Sequence, residues 1–202
     1  MSYLKQFPVQ ELKIDRSFIT GTPHPERVFS LDARPGYLRL FGRESIGSWF
    51  EQALVARRQE DFAYQATTVL DFDPEHYQQA AGLTTYYNRF KFHALMLTNE
   101  PGIGRALTIL SCPGDFPHGA LEHPTAPVPV GPGPVELRVA VDHASQQFLW
   151  RQGGDWHAIG PALNAAVISD EGGRGEHGSF TGTFVGMAAF DTSGMGREAT
   201  FG

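Results

Sequence analysis

From about Ser30 onward the chain is a succession of short runs rich in Tyr, Phe, Val, Thr and Leu, cut by clusters of Gly, Pro and Asn. That punctuation constrains the fold more than any other feature, because short apolar runs with turn signals between them are the mark of many strands. "GYLRLFG" sets Tyr37, Leu38 and Leu40 around Arg39, the alternation of a half-buried strand. "DFAYQATTVLDF", "GLTTYY", "FKFHALML", "RALTILSC", "VELRVAVD", "QQFLWRQ" and "GTFVGMAAF" repeat it. The 23 Gly and 14 Pro among 202 residues suit a chain with this many turns. Only "SIGSWFEQALVARRQ", with its Ala and Glu, could bend toward helix, and the expectation for it is strand.

The connections carry their own signals. Asn88 in "YNRFKF" tolerates turn geometry, so the strands on either side pair as a hairpin, and in a simple register Tyr86 lies opposite His93. "PTAPVPVGPGP", Pro124 to Pro134, lacks the donors of a central strand and reads as an edge or connecting segment. "DEGGRGEHGSFTG", Asp170 to Gly182, is a charged glycine-rich loop of the kind that carries function on a rigid scaffold.

A formal net charge of −6 argues against nucleic acid or an anionic membrane as partner, since both reward a basic patch. The one cysteine, Cys112, has no internal partner, which fits a reducing cytoplasm, and it reads as a small buried hydrophobe. No run approaches the ~18 apolar residues of a membrane span, so a soluble, cytoplasmic protein is expected.

Several of these strings resemble a known family in the right order. "LDARPGYLRLFGRESIGSWFEQALVARRQ", "AGLTTYYN", "IGPALNAAVISDEGG" and "GSFTGTFVGMAAFDTSG" look like the C-terminal accessory domain of family 43 β-xylosidases, from about Phe29 to Phe201. The resemblance implies an all-β, two-sheet antiparallel β-sandwich, a concanavalin A-like jelly roll over residues 25–202. In that family the domain packs on a catalytic propeller and helps close its sugar pocket with an aromatic residue, and Phe50 stands at the matching position. The catalytic carboxylates of the family lie on the propeller, so the resemblance implies no inherited xylosidase activity. Two departures stand out. The opening "MSYLKQFPVQELKIDRSFITG" resembles a fragment of an EAL domain, the cyclic di-GMP phosphodiesterase barrel, without its glutamate signature or metal ligands. A seam near Thr20 to Pro25 suggests a fused reading frame, with residues 1–24 an N-terminal extension. Its stretch Glu11 to Ile19, apolar at Leu12, Ile14 and Phe18, would serve as a substitute strand or swap between protomers. The chain also stops at "REATFG", where the family continues, and Thr200 stands where the family tends to place an acidic residue, which weakens a structural calcium site.

The leading functional expectation is an accessory or carbohydrate-binding sandwich, with Phe50, Trp49, Arg43, Tyr86 and Tyr87 as ligand contacts and a xylo-oligosaccharide-like sugar as ligand. Phe90, Phe92, Trp150 and Trp156 are further stacking candidates, although strand aromatics are more often core. A homo-oligomer formed through the surface that would face a propeller is a further expectation. The competing class is a hydrolase acting on a small ester or aryl glycoside. It would use His93, Glu44 and His177, because imidazole titrates near neutrality and a glycosidase needs two facing carboxylates, for which Glu44, Asp170, Glu171, Glu176 and Asp191 are the candidates. A divalent metal, calcium or zinc, would find its ligands at Asp170, Glu171 and His177. His24, His76, His118, His123, His143 and His157 sit in turn-like contexts and read as solvated. GxGxxG, P-loop and GxSxG patterns are absent.

Overall fold

Alternation along the strands closes the chain into two antiparallel sheets, described in a computed structural model for residues 24–114, 120–172 and 182–202. One sheet has seven strands: β1 (Phe29–Ser30), β2 (Leu38–Phe41), β4 (Ala63–Asp71), β9 (Val135–Asp142), β10 (Ser145–Arg151), β11 (His157–Asn164) and β13 (Glu198–Phe201). Their order is β1-β2-β13-β4-β9-β10-β11. The other has six: β3 (Ala53–Arg58), β5 (Gln79–Asn88), β6 (Lys91–Glu100), β7 (Gly104–Cys112), β8 (Val128–Pro129) and β12 (Phe184–Asp191), in the order β3-β12-β5-β6-β7-β8. The main core lies between them, with Leu38, Leu40, Leu70, Leu137, Val139 and Phe148 from the larger sheet meeting Leu83, Leu95, Leu97, Leu107 and Ile109 from the smaller.

The six-stranded sheet is apolar on both faces, which is why β5 and β6 are buried along almost their whole length. Side chains alternate across a strand, so where Leu83 and Leu95 enter the main core, their neighbours face the other way. There Ala80, Tyr86, Phe92, Ala94, Met96 and Leu110 form a second cluster with Ile46 and Leu54. Cys112 belongs to this cluster, and burial pushes its thiol pKa up, in keeping with an unreactive packing role.

Three readings of the sequence need correction. The hairpin register is displaced by an irregularity between Tyr86 and Asn88, so Tyr86 pairs with Phe92 and His93 with Thr85. Tyr86 and His93 therefore face opposite sides of the sheet, as a one-residue slip requires. The stretch at Ser45–Phe50 is a turn, and strand begins only at Ala53. β11 was not expected as a strand, because Pro161 and a mostly exposed pattern hide it; it lies at the sheet's edge, where a proline costs least. The final described strand, β13, pairs along its length with β2, and its Thr200 and Phe201 pair with Asp71 and Leu70 of β4. The Pro-rich segment behaves as expected, giving only the two-residue edge strand β8. The substitute-strand reading of Glu11 to Ile19 lies outside the described residues.

Candidate functional site

The turn joining β2 to β3 sits above the second cluster, and one buried amide shapes it. Gln52 Nε2 donates to the Ile46 carbonyl at 2.6 Å and to the Ser48 carbonyl at 2.8 Å. Its Oε1 accepts from the Tyr86 hydroxyl at 3.2 Å. Ile46 is drawn into the cluster, while Ser48 bonds the Glu44 carboxylate and accepts from the Phe50 N–H at 3.2 Å. With the turn held this way the next side chains point outward: Trp49 is 59% exposed and Phe50 71%. Burying either ring against a partner would gain about 1.5–3 kcal/mol, so an adjacent exposed pair is a standing incentive to bind.

These two rings border a groove with a cavity volume of about 580 Å³, lined also by Glu44, Ser45, Ser48, Arg89, Asp191, Thr192 and Gly194. Arg89 comes from the turn between β5 and β6. Its guanidinium carbon lies 4.0 Å from the centre of the Trp49 ring and 4.4 Å from that of Phe90. The two rings stand nearly perpendicular at 81°, so the cation occupies the corner between them. Its Nε and Nη1 are closed off from solvent and find no acceptor among the described residues. Each such orphaned donor costs on the order of 1–3 kcal/mol, more when charged.

Asp191 organises the opposite wall. Its carboxylate accepts from the backbone N–H of Ser193 at 2.9 Å and of Arg197 at 2.7 Å, from Gln79 Nε2 at 3.3 Å, and from the Ser193 hydroxyl. Burial works against its charged form, but the donors outweigh it and hold the carboxyl below the usual carboxylate range. Two carboxylates thus line one groove, yet the oxygens of Asp191 are occupied by donors and Glu44 is turned to Ser48.

The remaining candidates fall elsewhere. Tyr86 belongs to the buried second cluster, its ring stacked on Phe92 with centroids 6.1 Å apart and its hydroxyl pKa pushed up to about 12 by burial. Tyr87 donates to Asp170 Oδ1 at 2.8 Å, and the same oxygen accepts from the Gly182 N–H at 3.1 Å, so Asp170 closes the stem of the glycine-rich loop. Arg43 gives Nε and Nη2 to the Arg27 carbonyl at 2.7 and 2.5 Å and does not line the groove. His93 is 2% exposed between the sheets. Its Nε2 faces the Asn164 carbonyl at 3.3 Å, which can only accept, so Nε2 carries the proton and Nδ1 accepts from Ser111 Oγ at 2.9 Å. Burial lowers its pKa, with the Asn164 contact and Glu122 opposing, and the ring stays neutral. His93 and Glu44 are therefore not brought together. His177 lies outside the described residues, and among the described residues no three His, Cys, Asp or Glu gather as metal ligands. The hydrolase arrangement gains no support from this geometry. Trp156 carries the guanidinium carbons of Arg138 at 3.8 Å and Arg151 at 4.7 Å, away from the groove.

Gln52 and Arg89 escaped the sequence reading. A loop glutamine gives no signal, whereas an arginine followed by aromatics in "YNRFKF" was a usable hint of cation–π stacking.

A family model described as the β-xylosidase C-terminal concanavalin A-like domain matches residues 7–202. The chain belongs to this family. It is 46% identical over 187 residues to the xylosidase/arabinosidase 43B of Humicola insolens, covering 89% of this chain and 34% of that protein. Identity to a putative β-xylosidase of Escherichia coli is 40% over 182 residues, covering 89% and 33%. Among solved structures, a xylan β-1,4-xylosidase from Bacillus halodurans superposes with a TM-score of 0.80 at 34% identity, over 88% of this chain and 33% of that one. The chain thus spans about a third of the length of the relatives it matches, the part that forms their concanavalin A-like C-terminal sandwich. The match begins at residue 7, inside the segment that resembles an EAL fragment, and the comparisons lend that likeness no support. No helix among the described residues is long and apolar enough to cross a membrane.

Proposed function

We propose that this domain is an accessory module of a family 43 glycosidase and that its Trp49–Phe50 groove contacts a xylo-oligosaccharide-like sugar where the module meets a catalytic unit. The observation that carries the reading is the adjacent pair of exposed aromatic side chains, held outward by Gln52 at the rim of a groove of about 580 Å³. Aromatic rings cover the C–H faces of sugar rings, and polar groups such as Ser45, Ser48 and Glu44 suit sugar hydroxyls. The β-xylosidase names of the relatives support the choice of a xylose-type ligand.

Trp49 itself reports on the groove, so titration of the domain with xylotriose is read by tryptophan fluorescence. Saturable quenching or enhancement that disappears in Trp49→Ala and weakens at least tenfold in Phe50→Ala is expected. No change up to millimolar xylotriose, with the protein folded, would overturn the sugar contact.

A further inference from the structure

We infer that the groove selects a sugar bearing a carboxylate, and that Arg89 is its seat. The inference rests on the sugar-contact reading and adds the class of ligand to it. Arg89 stands in the corner between Trp49 and Phe90 with Nε and Nη1 shut away from water and without an acceptor among the described residues. The two donors lie on opposite sides of the guanidinium and cannot share one anion, but each forms with Nη2 a fork of two parallel N–H bonds that pairs with one carboxylate, a geometry a neutral hydroxyl does not reproduce. Among the described residues the groove supplies no such partner. Glu44 is held by Ser48, and Asp191 already accepts from Gln79, Ser193 and Arg197. The ring that covers the guanidinium is Trp49, itself 59% exposed on a turn, so its movement would open the fork to a ligand whose sugar ring then stacks on the same indole. A pyranose with a carboxyl group, a uronic acid, joins these two requirements in one molecule: an apolar face for the aromatic rim and a planar anion for the arginine.

The test compares three probes on the full chain by calorimetry at low salt: xylotriose, xylotriose substituted with one glucuronic acid, and free glucuronate. The substituted trisaccharide is expected to bind roughly 10- to 100-fold more tightly than xylotriose, the worth of a charge-assisted pair, and to lose part of that advantage as salt is raised. Arg89→Gln should remove the preference, the substituted trisaccharide then binding no more tightly than xylotriose, and Arg89→Lys should keep only a fraction of it, since an ammonium is a point charge. Glu44→Gln, which removes a like charge from the groove, should strengthen binding of the acidic probes. Thermal melting confirms that each variant is folded. If the two trisaccharides bind equally well, or the preference survives Arg89→Gln, the carboxylate seat is overturned and the sugar contact stands. If xylotriose fails to bind while glucuronate binds through Arg89, the seat stands and the neutral-sugar reading falls. Failure of all three probes overturns both.

Discussion

One amide at position 52 carries a disproportionate share of the groove's shape. Truncating Gln52 to Ala strips two turn carbonyls of their donor and takes the Gln52 acceptor away from the buried Tyr86 hydroxyl. Unsatisfied buried groups of this kind make a loss of about 2–4 kcal/mol the expected outcome. For a domain of this size that is a fall of roughly 5–12 °C in Tm, read by calorimetry, with Trp49 emission shifting as the turn loosens. His93 makes a separate prediction. Its pKa is lowered in the folded state, so the unfolded chain binds a proton that the native ring refuses. Stability from this group is complete above the unfolded value near 6.5 and is lost as pH falls toward the lowered folded value. The wild-type Tm should therefore drop between pH 7.5 and 5, and His93→Gln, less stable at neutral pH, should show a smaller drop over the same interval. Equal pH dependence of the two proteins would show that the buried ring does not titrate as described. Asp191 acts in a different window, since its depressed pKa withdraws stability only below about pH 4.

At the level of strands, the pattern of apolar runs was enough to find most of both sheets, because each side chain's face is written in a period of two. What the sequence did not show is where that period breaks. The irregularity after Tyr86 shifts one residue and moves His93 from the face of Tyr86 to the inside of the sandwich, so a histidine set beside the aromatic candidates became a core group. The turn before β3 was hidden for a similar reason: its conformation is fixed by the Gln52 amide reaching back to Ile46 and Ser48, a contact with no local composition signal. Phe50 was legible from its position in a resemblance, while Arg89 needed the fold to bring the hairpin turn against the β2–β3 turn. Gly82 offers a test of how closely the strands are set. It lies in the middle of the six-stranded sheet, opposite Met96 on one side and Ala188 on the other, and a Cβ there would run into the carbonyl of Leu95. Backbone cannot yield as a flexible side chain does, so Gly82→Ala should cost more than the ~1–3 kcal/mol of ordinary overpacking. Chemical denaturation of the variant, or its loss from the soluble fraction, measures this; wild-type stability would mean that the sheet relaxes to admit a methyl group.

Across the whole molecule, the two apolar faces of the six-stranded sheet are covered to different extents. The inner face is spent on the core with the seven-stranded sheet, and Leu83, Leu95, Leu97, Leu107 and Ile109 there are essentially inaccessible. The outer face is closed in part by the Ile46 turn, which leaves Trp49 and Phe50 largely exposed. A ring that is mostly solvated in the free domain contributes little to folding, because its apolar area is not removed from water. Phe50→Ala should accordingly leave the unfolding free energy within about 0.5 kcal/mol of wild type, the range of ordinary surface substitutions. Leu95→Ala, by contrast, opens a cavity between the sheets and should cost about 2–5 kcal/mol. The ligand readout should run the other way, with xylotriose binding weakened at least tenfold by Phe50→Ala and unchanged in whatever fraction of Leu95→Ala remains folded. Denaturant titrations and fluorescence binding curves on the two variants give both axes. A Phe50→Ala protein that melts early would mean that the ring is a packing element and the groove a by-product of the fold; one that melts normally and no longer binds would place recognition on the displayed face alone.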